Sequence, residues 1–228
     1  MIFNLKSIGK WVAILSFVSS SQALALNPNL NLKSDAELFA KPLITGASIS
    51  ADWASLSPGK RLAERLAKSP DIRVIARGGQ TGASVLAGVT PTVLKDRSVI
   101  VGFDLFFWDS TRASVAPSLK ALKTLVAQAQ ANNIPLLIGD IPELVPGHQP
   151  MRRQLNEAIY SACGAAKNCF VIPLDELYQK ISKDGFVEIK GKKYSFFDLV
   201  PDGLHIGNVA GDYLADLIYQ TLRPQGLK

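Results

Sequence analysis

The sequence predicts an open α/β fold built on a mostly parallel, five-stranded sheet. Three observations predict it. Five short apolar runs, at 42–45, 72–76, 98–103, 134–139 and 170–173, are rich in Val or Ile, as expected for strands buried on both faces of a parallel sheet. Segments of helical periodicity separate them. The alternation continues along most of the chain, which is the pattern that crossover connections produce.

The helical segments follow in order. Ser57-Pro58 opens the first long one, with a hydroxyl suited to capping and a proline at the first helical position, and Leu62, Ala63 and Leu66 then share a face. Leu119, Leu122, Leu125 and Val126 recur at helical spacing in the next. Residues 151–162 and 174–181 supply two more. The last helix spans 208–222, with Ala210, Tyr213, Leu214 and Leu217 inward. Residues 186–197 break the pattern. There Val187, Ile189 and Tyr194 flank Lys190-Gly191, the signature of a small hairpin.

A chain of 228 residues with 47% hydrophobic and 19% charged residues suits one globular domain and excludes wholesale disorder. No interior apolar run approaches the ~18 residues of a membrane span. The N-terminus reads as an export signal over 1–25. Lys6 and Lys10 precede an apolar stretch at 11–18, and Ala23-Leu24-Ala25 has the small-x-small form of a cleavage site. A cut after Ala23 also fits, and a membrane anchor or a buried first helix are the rival readings. Residues 26–40 read as a loosely held lead-in, and 41–228 as the domain.

Loss of Lys6 and Lys10 with the signal lowers the net charge from +6 to +4. The basic residues are scattered, and Lys190-Gly191-Lys192-Lys193 reads as a solvated hairpin tip, so no nucleic-acid partner is expected. Mild basicity suits an approach to an anionic envelope polymer or membrane surface. Export would place the only two cysteines, Cys163 and Cys169, in an oxidising space, where a structural disulfide is expected. A metal pair would need further ligands, and the chain has only His148 and His205 as histidines.

Ligand sites in open α/β sheets lie beyond the carboxyl ends of the strands. After the first strand comes Gly46-Ala47-Ser48-Ile49-Ser50, where a serine beside glycine can sit on a tight turn with its hydroxyl exposed. Near the C-terminus stands Pro201-Asp202-Gly203-Leu204-His205. An aspartate three residues before a histidine can turn its carboxylate onto Nδ1 and leave Nε2 free to face a nucleophile. The plain alternatives are a turn of small residues and a solvated loop histidine. Together the two features favour a triad of Ser48, His205 and Asp202.

These blocks resemble those of the SGNH (GDSL-like) hydrolases. Gly46-Ala47-Ser48 resembles the first block, G-D-S, and Asp202-Gly203-Leu204-His205 the last, D-x-x-H. The resemblance spans roughly 42–222. It implies a three-layer α/β/α sandwich with flavodoxin-like strand order, a serine nucleophile and no cofactor. It also implies an oxyanion hole made by the Ser48 N–H and a glycine from the second block. Thr81-Gly82-Ala83-Ser84 resembles that block, so Gly82 is the expected donor, with Gly79 the second choice.

Two departures stand out. Ala47 replaces an aspartate that supports the turn. Asp104, in Gly102-Phe103-Asp104-Leu105, falls where the family has an asparagine that donates to the oxyanion. A carboxylate there repels developing charge unless protonated or turned away, and it can instead brace the active-site loop or position the substrate. Asp109 has no assigned role. Trp53, Phe106 and Trp108 are candidates for binding substrate, as an apolar wall or a sugar-stacking surface; for the cluster around Phe106 and Trp108 the alternative is core packing.

The function implied is an exported serine esterase acting on an acylated carbohydrate or a lipid. The alternatives are an envelope polysaccharide O-acyltransferase and a non-catalytic domain that binds an envelope polymer.

Overall fold

A computed structural model describes residues 33–224. The expected export signal and the lead-in before residue 33 lie outside the described residues. Five strands, β1 (Pro42–Gly46), β2 (Arg73–Ala76), β3 (Val99–Gly102), β4 (Leu136–Gly139) and β5 (Cys169–Ile172), form one sheet. All neighbours are parallel, in the order β2-β1-β3-β4-β5. This is the flavodoxin-like order, with its switch point beside β1.

Alternate residues face opposite layers, as the pleat requires. Leu43, Ile100, Leu136 and Ile138 point into one core, and Ile44, Val99, Val101 and Leu137 into the other. The inner strands β1, β3 and β4 are buried throughout, as expected. The outer strands differ: Arg73 is exposed and Phe170 and Val171 are only half-buried. An edge strand has one neighbour, so an apolar run alone does not enclose it.

Nine α-helices lie among the described residues: α1 (Asp35–Leu38), α2 (Pro58–Leu66), α3 (Gly82–Leu86), α4 (Pro91–Leu94), α5 (Ala116–Ala131), α6 (Arg152–Gly164), α7 (Leu174–Asp184), α8 (Phe196–Leu199) and α9 (Asn208–Leu222). A 3-10 turn spans Trp108–Thr111. The first core packs on α3, α5 and α6, the second on α2, α7 and α9. None of these helices is long and apolar enough to cross a membrane.

Four local expectations need correction or completion. The lead-in is docked from Ser34 onward. Ser34 and Glu37 form a capping box, Leu38 and Phe39 are wholly buried, and Asp35 accepts bonds from Tyr219 and Arg223. Ser57 occupies the N-cap of α2, but its hydroxyl makes no capping bond; its N–H donates to Asp52 Oδ1 instead. The hairpin is present as β6 (Val187–Ile189) and β7 (Lys192–Tyr194), turning through left-handed Lys190 and Gly191. Cys163 and Cys169 are joined by a disulfide that ties the end of α6 to the start of β5.

Candidate active site

The turn after β1 is held from below by one side chain. Asp104 Oδ1 accepts from Ala47 N (2.9 Å), Ser50 N (3.3 Å) and the Ser50 hydroxyl (2.6 Å), and Oδ2 accepts from Ile49 N (2.8 Å). Ser48 therefore sits at the centre of a loop whose flanking N–H groups are all anchored to one carboxylate. Gly46 precedes it at φ 155°, and a Cβ there would collide with Asp104 Oδ1 and the Ser50 hydroxyl. The glycine of the first block makes room for this bracing. Burial pushes the Asp104 carboxyl upward, against the opposing pull of the Ser50, Ile49 and Ala47 bonds.

Asp104 thus directs both carboxylate oxygens at the turn that carries Ser48. Of the alternatives open from sequence, the bracing role is the one that this geometry carries.

The loop after α8 arranges His205. Asp202 Oδ1 accepts from Leu204 N (2.9 Å) and His205 N (2.6 Å), so the carboxylate folds its own loop. Its Oδ2 lies 2.7 Å from His205 Nδ1. The His205 N–H, then the ring contact, then the Leu204 N–H hold the Asp202 carboxyl down to about 2. An ionised Asp202 fixes the proton on Nδ1, which leaves Nε2 as an acceptor. Nε2 lies 3.2 Å from Ser48 Oγ, across 157 residues of sequence.

Trp53 Nα donates to Ser48 O (2.9 Å), and the indole stacks on the His205 ring with centroids 5.8 Å apart and planes 24° from parallel. It remains 62% exposed, so one face of the indole is open to solvent beside the imidazole. Of the other aromatic candidates, Phe106 is wholly buried, with its ring against Gly82, and Trp108 packs edge-on against Phe107. Trp108 packs against the core at this end of the sheet, whereas Phe106, though buried, also stands in the wall of a cavity beside Ser48.

The expected oxyanion glycine is engaged elsewhere. Gly82 N donates to the buried Asp109 Oδ2 at 2.6 Å, and Asp109 also binds the Ser118 hydroxyl. Gly82 is the first residue of α3, and Asp109 occupies the N–H that was expected to face the substrate. This also gives Asp109 a role that sequence reasoning missed. The glycine lying against Ser48 is Gly78: a Cβ there would stand 3.5 Å from Ser48 Cβ. No acceptor among the described residues takes the N–H of Ser48 or Gly78. The signal for it was the Gly78-Gly79 pair, one residue past β2 and just before the block at 81–84.

A cavity of about 100 Å³ opens beside Ser48 at the carboxyl end of β3 and β4. Its wall includes Phe106, Leu177, Leu199, Ile206 and Leu214, so it runs between the sheet and the α7–α9 segment. Asp140, at the end of β4, is also in the wall. It accepts from Asp175 N and the Tyr160 hydroxyl, both at 2.8 Å, and so caps α7, whose N-cap Pro173 has no side-chain acceptor. Burial pushes its carboxyl upward.

No family model and no curated protein matches the sequence. Solved structures do match in fold. A psychrotrophic esterase from Pseudoalteromonas sp. aligns at 18% identity over 81% of this chain and 97% of its own, with a TM-score of 0.54. A candidate SGNH hydrolase from Slackia heliotrinireducens aligns at 20% over 80% and 98%, with a TM-score of 0.54. An acetylxylan esterase from Geobacillus stearothermophilus aligns at 14% over 83% and 95%, with a TM-score of 0.57. The chain has the α/β/α fold of the SGNH hydrolases, in divergent form.

Proposed function

We propose that the protein is an exported serine esterase in which Ser48 is the nucleophile, His205 the general base and Asp202 the group that orients it. The observation that carries this reading is the hydrogen-bonded chain from Ser48 Oγ to His205 Nε2 to Asp202, 3.2 and 2.7 Å long, beside an apolar cavity. The esterases among the structural neighbours support it, and so does a triad drawn from both ends of the domain, which core packing does not require.

In the proposed reaction the Ser48 hydroxyl attacks an ester carbonyl as His205 Nε2 takes its proton. Asp202 stabilises the imidazolium. The N–H groups of Ser48 and Gly78 receive the oxyanion, a role that passes to Gly78 because Asp109 holds the Gly82 N–H. The imidazolium returns its proton to the departing alcohol. Water then attacks the acyl-Ser48 ester through the same base, releasing the acid and restoring the hydroxyl. Export is supported by the disulfide, which suits an oxidising compartment.

Transfer of the acyl group to a sugar hydroxyl in place of water is the second reading. The open face of Trp53 beside His205 favours it, because a sugar ring stacked there would be close to the imidazole. Product analysis with and without a sugar acceptor separates the two.

The purified protein is expected to hydrolyse p-nitrophenyl acetate. Ser48→Ala and His205→Ala should each lower the rate by at least about 10⁴-fold. Hydrolysis surviving Ser48→Ala with unchanged kinetics would remove the assigned nucleophile.

A further inference from the structure

We infer that the cavity beside Ser48 is an acyl-chain subsite, and that it selects straight chains of roughly six to ten carbons over acetyl. The inference rests on the esterase reading above and names its substrate class.

Position comes first. Ser48 and Ile49 belong to the cavity wall. A chain esterified to Ser48 would therefore begin next to the cavity.

Chemistry comes second. The wall is mostly side chains such as Phe103, Leu177, Ile181, Leu199 and Leu214. Its two carboxylates are already committed, Asp104 to the Ser48 turn and Asp140 to Asp175 and Tyr160. They offer little to a sugar, whose hydroxyls would lose their water partners on entry. A hydrocarbon chain loses none. The polar part of the substrate belongs on the opposite side of His205, where Trp53 is open to solvent.

Size comes third. The cavity measures about 100 Å³, and a water-sized group needs roughly 10–15 Å³ in that measure. It therefore admits roughly seven to ten such groups. An acetyl group brings one methyl and would leave most of the space empty, whereas native interiors contain few voids larger than a water. The wall on the α9 side includes Ala210, a small residue where a longer side chain would fill the space.

The experiment is a chain-length series of p-nitrophenyl esters from acetate to dodecanoate with the whole protein. Each methylene that enters the cavity should raise kcat/KM up to about fourfold, the equivalent of its transfer from water, with the rise ending between hexanoate and decanoate. Ala210→Phe should lower the octanoate-to-acetate ratio of kcat/KM at least tenfold. If that variant loses its near-UV circular dichroism, Leu177→Trp takes its place with the same expectation. Acetate hydrolysed as fast as octanoate, with both depending on Ser48, overturns the subsite and leaves the esterase reading standing. Failure of the protein to hydrolyse any ester overturns the esterase reading instead. In that case calorimetry with Ser48→Ala protein still decides the cavity: binding of octanoate but not acetate upholds it, and no octanoate binding overturns it.

Discussion

Replacing Asp104 by asparagine converts a four-bond acceptor into a group with one acceptor oxygen and one donor. The better orientation keeps oxygen at the Oδ1 position, where it still meets Ala47 N, Ser50 N and the Ser50 hydroxyl. The amide nitrogen then faces Ile49 N, a donor against a donor, at the present 2.8 Å spacing. One charge-assisted bond worth about 1.5–3 kcal/mol is lost, and the remaining three weaken as the acceptor becomes neutral. A total of about 3–4 kcal/mol is expected, measured as a shift in urea midpoint at constant m. Ser48 lies between Ala47 and Ile49, so the same change moves the proposed nucleophile. A displacement near 1 Å costs on the order of 100-fold in rate, and the loss should fall on kcat with KM nearly unchanged. Ester hydrolysis and urea melts on the same preparation test both halves. An Asp104→Asn protein as stable and as active as the parent would refute the bracing role and return position 104 to the oxyanion hole.

Two further predictions follow from the other carboxylates. Asp109→Ala strips the buried Gly82 N–H and Ser118 hydroxyl of their partner; at about 1–3 kcal/mol for each unpaired group, unfolding should require about 2–6 kcal/mol less, and a urea midpoint equal to the parent's contradicts the assignment. Asp202 is depressed to about 2 by bonds made only in the folded loop, so its stabilisation is complete above its ordinary range near pH 4 and is lost as pH falls through 2. The difference in melting temperature between the parent and Asp202→Asn should therefore shrink from about pH 5 down toward pH 2. Asn at 202 should also cost about 10⁴-fold in kcat across the neutral range. A stability difference that widens in acid would contradict the depressed carboxyl.

The order of elements was legible because it depends on residue type and period alone. Apolar runs placed each of the five strands to within a few residues, and Lys190-Gly191 marked the hairpin turn. The hydrogen-bonded trio of Ser48, His205 and Asp202 was legible because small chemical motifs stand at strand ends and before helices. What could not be read is set by who faces whom. Phe106 and Trp108 have the same composition whether they line a site or fill a core, and only packing decides. Gly82 lies in a block that resembles the family pattern, but its N–H answers to Asp109, 27 residues away. Asp104 looked like a fault in an oxyanion hole because sequence places it two residues beyond β3 but does not give the direction of its carboxylate. Ser34 to Phe39 has no strong periodicity, and its docking depends on Tyr219 and Arg223 at the far end of the chain.

The contact between Ser48 and His205 is itself a consequence of packing remote from the two side chains. Ser48 is followed by α2, and His205 by α9. These helices share the core of Leu62, Ala63, Ala210, Leu214 and Ala215. Arg61 reaches Asp212 (3.0 Å) and Asn208 (2.5 Å) across the pair, Arg65 reaches Asp216 (2.7 Å), and the Ser55 hydroxyl donates to Ile206 O (2.9 Å). Gly211 has no side chain where Arg61 crosses, since a Cβ there would stand 2.6 Å from Arg61 Nε. The ion pairs face solvent and contribute little individually, whereas the shared apolar face supplies the bulk of the attraction. The two loops are thus carried to one place by their helices, and a single 3.2 Å hydrogen bond has only to align what the core has already brought together.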